Sequence, residues 1–221
     1  MRQGPPANSS QAPFEQEILR LAENSCILLN AKQLSEICTH GRLLEKWGRR
    51  MNLTAIRDPI EIARRHFLEG LIAGTLVLKR GVSGAMVDLG SGNGFPGIPM
   101  GVVCREARPL ILIDSSQKKA AFLRALLREL GWDNARVEVR RVESDQDLSK
   151  TRCRIFTSRG VVVTELIRSG LPFLDSGGLG LFFRTSTSIQ EEAGPLPPGL
   201  VLEEDFQLPN RREGIVVVRK L

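Results

Sequence analysis

The segment VDLGSGNGFPG, residues 87 to 97, constrains this chain more than any other. A short apolar strand, AMVDLG, runs into glycines at 90, 92, 94 and 97, after which IPMGVVC resumes as an apolar helix. Glycines at such a strand-to-helix bend let the backbone turn tightly and bring its amides against a ligand. A second strand, PLILID (109–114), and a helix, QKKAAFLRALLRELG (117–131), follow. That helix gathers Phe122, Leu123, Leu126, Leu127 and Leu130 on one side. ARVEVRRVE, CRIFTS and GLGLFFRTS add strands, with VVTELIRSGLPFL as an intervening helix. This alternation predicts an α/β fold with a doubly wound, mostly parallel sheet. EEDFQLP and GIVVVRKL, separated by NRREG, predict a closing pair of strands.

Three parts are expected along the chain: a flexible N-terminal tail over 1–13, a helical region over 14–80 packed on the core, and the sheet domain over 81–221. FEQEILRLAENSCILL places Ile18, Leu21 and Leu28 on a helical stripe, and QLSEICTHGRLLEKW repeats it with Leu34, Ile37, Leu44 and Trp47. Asp58 is a candidate N-cap, followed by Pro59 at the first helical position and Glu61 at the third position of a capping box. The helix behind it reaches Lys79, with Gly70 and Gly74 marking close packing or a break.

Composition narrows the function classes. A formal charge of +6 fits a polyanionic partner, because neutralising phosphates releases counterions. Four dispersed cysteines without a CxxC pair argue for a reducing compartment and against a cysteine zinc site. His40 and His66 are the only histidines and lack HExxH spacing, so no metal is expected, and no GxxxxGK[ST] loop is present for a triphosphate. His40 by itself reads as a helix-surface or interface residue. The N-terminus has no apolar signal core, and no run approaches the roughly 20 apolar residues of a membrane span. A cytoplasmic monomer that does not engage a membrane is the expectation.

Two cofactor classes compete for the glycine bend. Gly92, Gly94 and Gly97 satisfy GxGxxG, and Asp114 ends the second strand where a dinucleotide enzyme holds its ribose, so an NAD-dependent oxidoreductase stays open. Asp88, before the glycines, would crowd a pyrophosphate but suits the amino-acid portion of S-adenosylmethionine, whose ribose hydroxyls Asp114 would accept equally well. The chain has no tyrosine, and none of its cysteines follows a proline, so two common base-methylation loops are absent. An acceptor with a free lone pair, such as guanine N7, fits better and needs alignment rather than a general base. Arg64, Arg65, His66 and Arg159 are then candidates for phosphate or base contacts. A small-molecule methyltransferase and a non-enzymatic RNA-binding module are the remaining alternatives.

From about Leu34 to Leu221 the chain resembles the bacterial small-subunit ribosomal RNA guanine-N7 methyltransferases once named after glucose-inhibited division. The matching residues are Lys46-Trp47, Asn52-Leu53-Thr54, Arg57-Asp58-Pro59, Arg65-His66, VDLGSGNGFPGIP (87–99), LIDSSQKKAAFLR (112–124), Val142-Glu143, Ser158-Arg159 and the closing GIVVVRK. The resemblance implies a Rossmann-like class I S-adenosylmethionine-dependent fold with an N-terminal helical extension. It further implies methyl transfer to one guanosine in the decoding-region loop of 16S rRNA, as naked RNA or in the small ribosomal subunit, with S-adenosylhomocysteine as product. It makes Gly90, Gly92, Gly94, Phe95, Asp114, Val142, Glu143 and Arg159 cofactor positions, beside Asp88 from the bend itself. Arg159 matches a position beside the cofactor and the expected target base, and with His66 it is the candidate for substrate positioning; Arg64 and Arg65, from the acceptor chemistry above, and Arg184, at a departure from the pattern, are candidate RNA contacts. The chain departs from the family pattern at Glu69-Gly70, Gly160 and Phe183-Arg184-Thr185.

Overall fold

A computed structural model describes residues 11–51, 56–104, 109–141, 151–160, 170, 172–185 and 195–221. Its elements, in chain order, are helices α1 (Gln11–Asn24), α2 (Ala31–Met51) and α3 (Pro59–Ile62), a π-helical turn (Ala63–Phe67), and α4 (Leu68–Lys79). Then come β1 (Met86–Leu89), α5 (Gly97–Cys104), β2 (Leu110–Asp114), α6 (Gln117–Leu130), β3 (Ala135–Val139), β4 (Cys153–Ser158), β5 (Leu174–Arg184), β6 (Leu200–Gln207) and β7 (Gly214–Lys220).

The strands form one sheet in the order β3-β2-β1-β4-β5-β7-β6. Pairing is parallel from β3 through β5, and β7 runs antiparallel to both β5 and β6. The expected mostly parallel sheet and closing strand pair are both present. Because β2 and β4 flank β1, the winding reverses between β1 and β4, and the crevice at their carboxyl ends is where such sheets bind ligands. Ser158, the last residue of β4, lies opposite Leu89 and donates its Oγ proton to the Leu89 carbonyl at 2.6 Å, which fixes Arg159 beside the glycine bend.

Strand alternation splits the buried side chains between two faces. Met86, Leu112, Ile155, Leu181 and Val217 join the core shared with α1, α2 and α4 to α6, where Phe14, Ile18, Ile37, Leu44 and Phe122 are buried. Val87, Ile113, Phe156, Phe182 and Val216 build the opposite core. The helix expected over VVTELIRSGLPFL falls almost entirely outside the described residues.

Several local expectations change. α1 takes in Gln11 to Pro13, so it begins before Phe14, and it ends at Asn24, which leaves Leu28 96% exposed instead of on the stripe. Asp58 caps α3 by accepting the Ile60 amide at 3.0 Å, whereas Glu61 pairs with Arg64 and Arg65 rather than closing a capping box. Gly70 and Gly74 do not break the helix. A Cβ on Gly70 would lie 2.3 Å from Pro99 Cγ, and one on Gly74 2.9 Å from Val103 Cβ, so both exist for the close approach of α4 to α5. β5 starts at Leu174, before the expected Gly177-Gly178 turn, which survives as a register shift against β4.

Candidate active site

The glycine bend is held from three sides. The Gly90 and Ser91 amides donate to the Ile113 carbonyl at the end of β2, at 2.8 and 3.0 Å. The Gly92 amide donates to Asp114 Oδ2 at 2.8 Å, while Asp114 Oδ1 accepts the Ser116 amide, also at 2.8 Å. Gly90, Gly92 and Gly94 all have positive φ, between 54° and 87°, a region that penalises a Cβ. Asp114 is 5% exposed, with Lys119 Nζ 3.9 Å away, so its carboxylate stands at the carboxyl end of β2 with acceptor capacity to spare.

Asp88 is fully buried beneath the bend. Its Oδ2 accepts the Gly97 amide at 3.0 Å, and a Cβ at Gly97 would sit 2.5 Å from that oxygen, which explains the fourth glycine. Oδ1 has no partner among the described residues. Burial, opposed by the Gly97 hydrogen bond, pushes the carboxyl up to about 7. An ammonium group brought against Oδ1 would satisfy this orphaned acceptor and return the group to its ionised form.

His40, read from sequence as a surface residue, is instead fully buried on α2. Its Nε2 lies 2.7 Å from the Asn93 carbonyl, which can only accept, so the ring is the Nε2-H tautomer. Burial holds it down to about 4. Phe95 is 8% exposed and packs between His40 (centroids 4.7 Å), Phe67 (4.9 Å) and His66 (5.0 Å). Its ring therefore plugs the bend onto the helices, which leaves its backbone to make the expected cofactor contact.

A second group lies at the carboxyl ends of β4 and β5. Arg159 Nη1 donates to His66 Nδ1 at 2.6 Å and stands 3.2 Å from Glu69 Oε2. Glu69 Oε1 is held at 2.8 Å by Arg211, from the loop between β6 and β7, and Arg211 also donates to the Arg64 carbonyl. Burial and then the Arg159 charge hold His66 down to about 4, while burial raises Glu69 against its two arginines. A cavity of about 610 Å³ opens here, lined among others by Arg65, Glu69, Arg159, Asn210 and Arg211.

The expected residues thus divide into a bend group (Asp88, Gly90, Gly92, Gly94, Asp114) and a basic group (Arg64, Arg65, His66, Arg159). Arg64 and Arg65 are 44% and 59% exposed at the side chain, although Arg64 also pairs with Glu17 at 2.6 Å. Arg184 is a correction. It is 2% exposed and engages Asp205 at 2.5 Å, Gln207 at 3.0 Å and the Arg212 carbonyl at 2.7 Å, so it braces the β6–β7 loop rather than offering charge to RNA. Val142 and Glu143 lie outside the described residues. Glu69, Arg211 and His40 were not singled out as functional from sequence, since their partners stand 53 to 142 positions away. No group of metal-ligating side chains occurs among the described residues, and no helix there is long and apolar enough to cross a membrane.

Residues 33–194 match the family model described as GidB, rRNA small subunit methyltransferase G. A ribosomal RNA small subunit methyltransferase G from Xylella fastidiosa is 37% identical over 185 residues, covering 80% of this chain and 82% of the relative. The protein of the same name from Neisseria meningitidis serogroup B is 37% identical over 163 residues, covering 73% and 75%. Among solved structures, a putative methyltransferase, yhhF, from Escherichia coli aligns with TM-score 0.56 at 16% identity, over 68% of this chain and 85% of that one. The ribosomal protein L11 methylase from Lactobacillus delbrueckii subsp. bulgaricus gives 0.56 at 12% identity, over 76% and 90%. At such identities the structural likeness speaks for the fold alone: a Rossmann-like class I methyltransferase sheet with an N-terminal helical extension.

Proposed function

This chain belongs to the GidB family, rRNA small subunit methyltransferase G, and on that premise we propose that it methylates N7 of a guanosine in 16S rRNA, using S-adenosylmethionine. The observation that carries the cofactor choice is the buried, unpartnered Oδ1 of Asp88 under the glycine bend. A dinucleotide pyrophosphate there would either face an ionised Asp88 or keep its carboxyl protonated and leave it without a cationic partner, whereas the amino group of S-adenosylmethionine is the missing donor. Asp88 would hold that end and Asp114 the ribose hydroxyls, with the bend shaped between them by its own internal hydrogen bonds. When bound, the cofactor supplies an electrophilic methyl on a sulfonium.

The chain's own part is then positioning. Guanine N7 carries its lone pair without losing a proton, so no general base is required. An arginine parked on N7 would block attack. Arg159 is directed instead to Glu69 and His66, and neutral His66 remains an acceptor for that guanidinium across physiological pH. Arg64 and Arg65 lie at or near the cavity with charge for RNA phosphates. The cytoplasmic setting follows from the substrate.

Equilibrium binding of S-adenosylhomocysteine against NAD tests the cofactor. Tight NAD binding without S-adenosylhomocysteine binding sinks the reading. Labelled methyl is expected in unmodified 16S rRNA or small subunits, located at a guanine N7 by cleavage after chemical depurination. Label entering small metabolites alone would refute the substrate.

A further inference from the structure

The peptide unit between Asn93 and Gly94 is pinned on both of its polar edges. Its carbonyl accepts from His40 Nε2 at 2.7 Å, and its N-H, on Gly94, donates to the Ser91 carbonyl at 2.7 Å. The second bond lies within the bend. The first comes from α2, and it is the described hydrogen bond that ties the bend's backbone to the N-terminal helices. Gly94 has φ +87°, and a Cβ there would meet Ile98 at 2.8 Å and the His40 ring at 3.2 Å, so the bend is seated closely against that ring. The ring stacks on Phe95 at 22° between planes and contacts Phe67 and Phe122, which leaves it no room to swing away. Its Nδ1 is buried without a partner among the described residues, a cost that a ring serving only to fill space would not need to incur.

We propose that His40 is a positioning residue for cofactor binding: its Nε2-H sets the orientation of the 93–94 peptide and so holds the glycine bend in its ligand-ready shape. The inference rests on the reading above that the cofactor lies on this bend. It adds that α2, far from the reacting atoms in sequence, helps to set cofactor affinity. An apolar ring at position 40 would fill the same space but release the carbonyl. The freed peptide could then rotate, and the Gly94 amide would lose its hold on the Ser91 carbonyl.

His40→Phe and His40→Gln in the full chain separate these contributions, because Phe keeps an aromatic ring without the donor and Gln keeps an amide donor without the ring. Two quantities are read, each beside the thermal midpoint: amide exchange at Gly94 and Phe95 in the cofactor-free protein, and the Kd for S-adenosylhomocysteine. In His40→Phe the exchange at Gly94 should rise about tenfold or more relative to core amides of α6. The Kd should weaken about fivefold or more. His40→Gln should recover most of both even if its midpoint is lower. Unchanged Gly94 exchange in His40→Phe, or losses in the two variants that simply follow their midpoints, would overturn the proposal. The exchange measurement needs no cofactor, so a parent protein that bound no S-adenosylhomocysteine would remove the functional reading while the role of His40 in holding the bend was still decided.

Discussion

Asp114 ends β2 and Arg159 follows β4, the strands on either side of β1, and the proposed function gives them different roles that single substitutions should separate. Asp114 anchors the Gly92 and Ser116 amides and faces the expected ribose site. Asp114→Ala should weaken S-adenosylhomocysteine binding at least about tenfold, ~1.4 kcal/mol, because hydrogen bonds to a charged group are lost along with the brace on the bend. Arg159 bonds to His66 and Glu69 and touches no part of the bend through any described hydrogen bond. Arg159→Ala should leave that Kd nearly unchanged and reduce the transfer rate, measured by calorimetry and by methyl incorporation. Equal and near-normal behaviour of both variants would remove the assigned roles. The place of Asp114 at the end of β2 was legible in the sequence because the apolar run PLILI stops at it. For Phe95, its neighbours along the chain do not reveal that His40, His66 and Phe67 close around its ring.

At the scale of elements, the helix-to-helix approach behind the bend is the most demanding contact. α4 lies against α5 through Gly70 and Gly74, and Pro99 fills the space where a side chain on Gly70 would sit. Gly70→Ala should therefore destabilise the fold by about 1–3 kcal/mol, as overpacking does, despite the better helix propensity of alanine. Gly48 on α2 has nothing within 4 Å of an added Cβ, so Gly48→Ala should stabilise by up to about 1 kcal/mol. Urea unfolding of the two variants reads the contrast directly, and like signs would refute this account of the interface. The sequence offered two alternatives for Gly70 and Gly74, packing or breakage. Only the position of α5 chooses between them.

Stability against pH belongs to the whole molecule, since it sums over groups buried in different places. His40 and His66 are held down to about 4, so the unfolded chain binds their protons near pH 6.5 while the folded chain refuses them until about 4. Their contribution is complete above about pH 6.5 and is lost as pH falls toward 4. Asp88, pushed up to about 7, acts oppositely: its contribution is complete below the unfolded carboxyl value, near 4, and is lost as pH rises through 7. The two histidines, with Glu17 held down to about 2 by Arg20, favour loss of stability on acidification from pH 7.5 to 4, while Asp88 and the burial-raised Glu69 oppose it. His40→Gln should lessen the loss on acidification and Asp88→Asn should deepen it, as read from urea midpoints at the two pH values.

What the sequence determined by itself was local in origin. Apolar periodicity placed β4 at Cys153–Ser158 and α6 from Gln117. Ser116 and Gly131 cap that helix as their side chain and backbone freedom allow, and the clustered glycines marked the bend. Each follows from forces between residues a few positions apart. Tertiary structure decided the rest: that Arg184 is a buried brace 21 residues from its Asp205 partner, that Glu69 joins Arg159 to Arg211, and that His40 reaches Asn93. Those pairings arise only after the described strands have paired in an order that departs from chain order and the parallel ones have brought their carboxyl ends together. A charged or polar side chain takes its role from whatever the packed backbone leaves within about 3 Å of it.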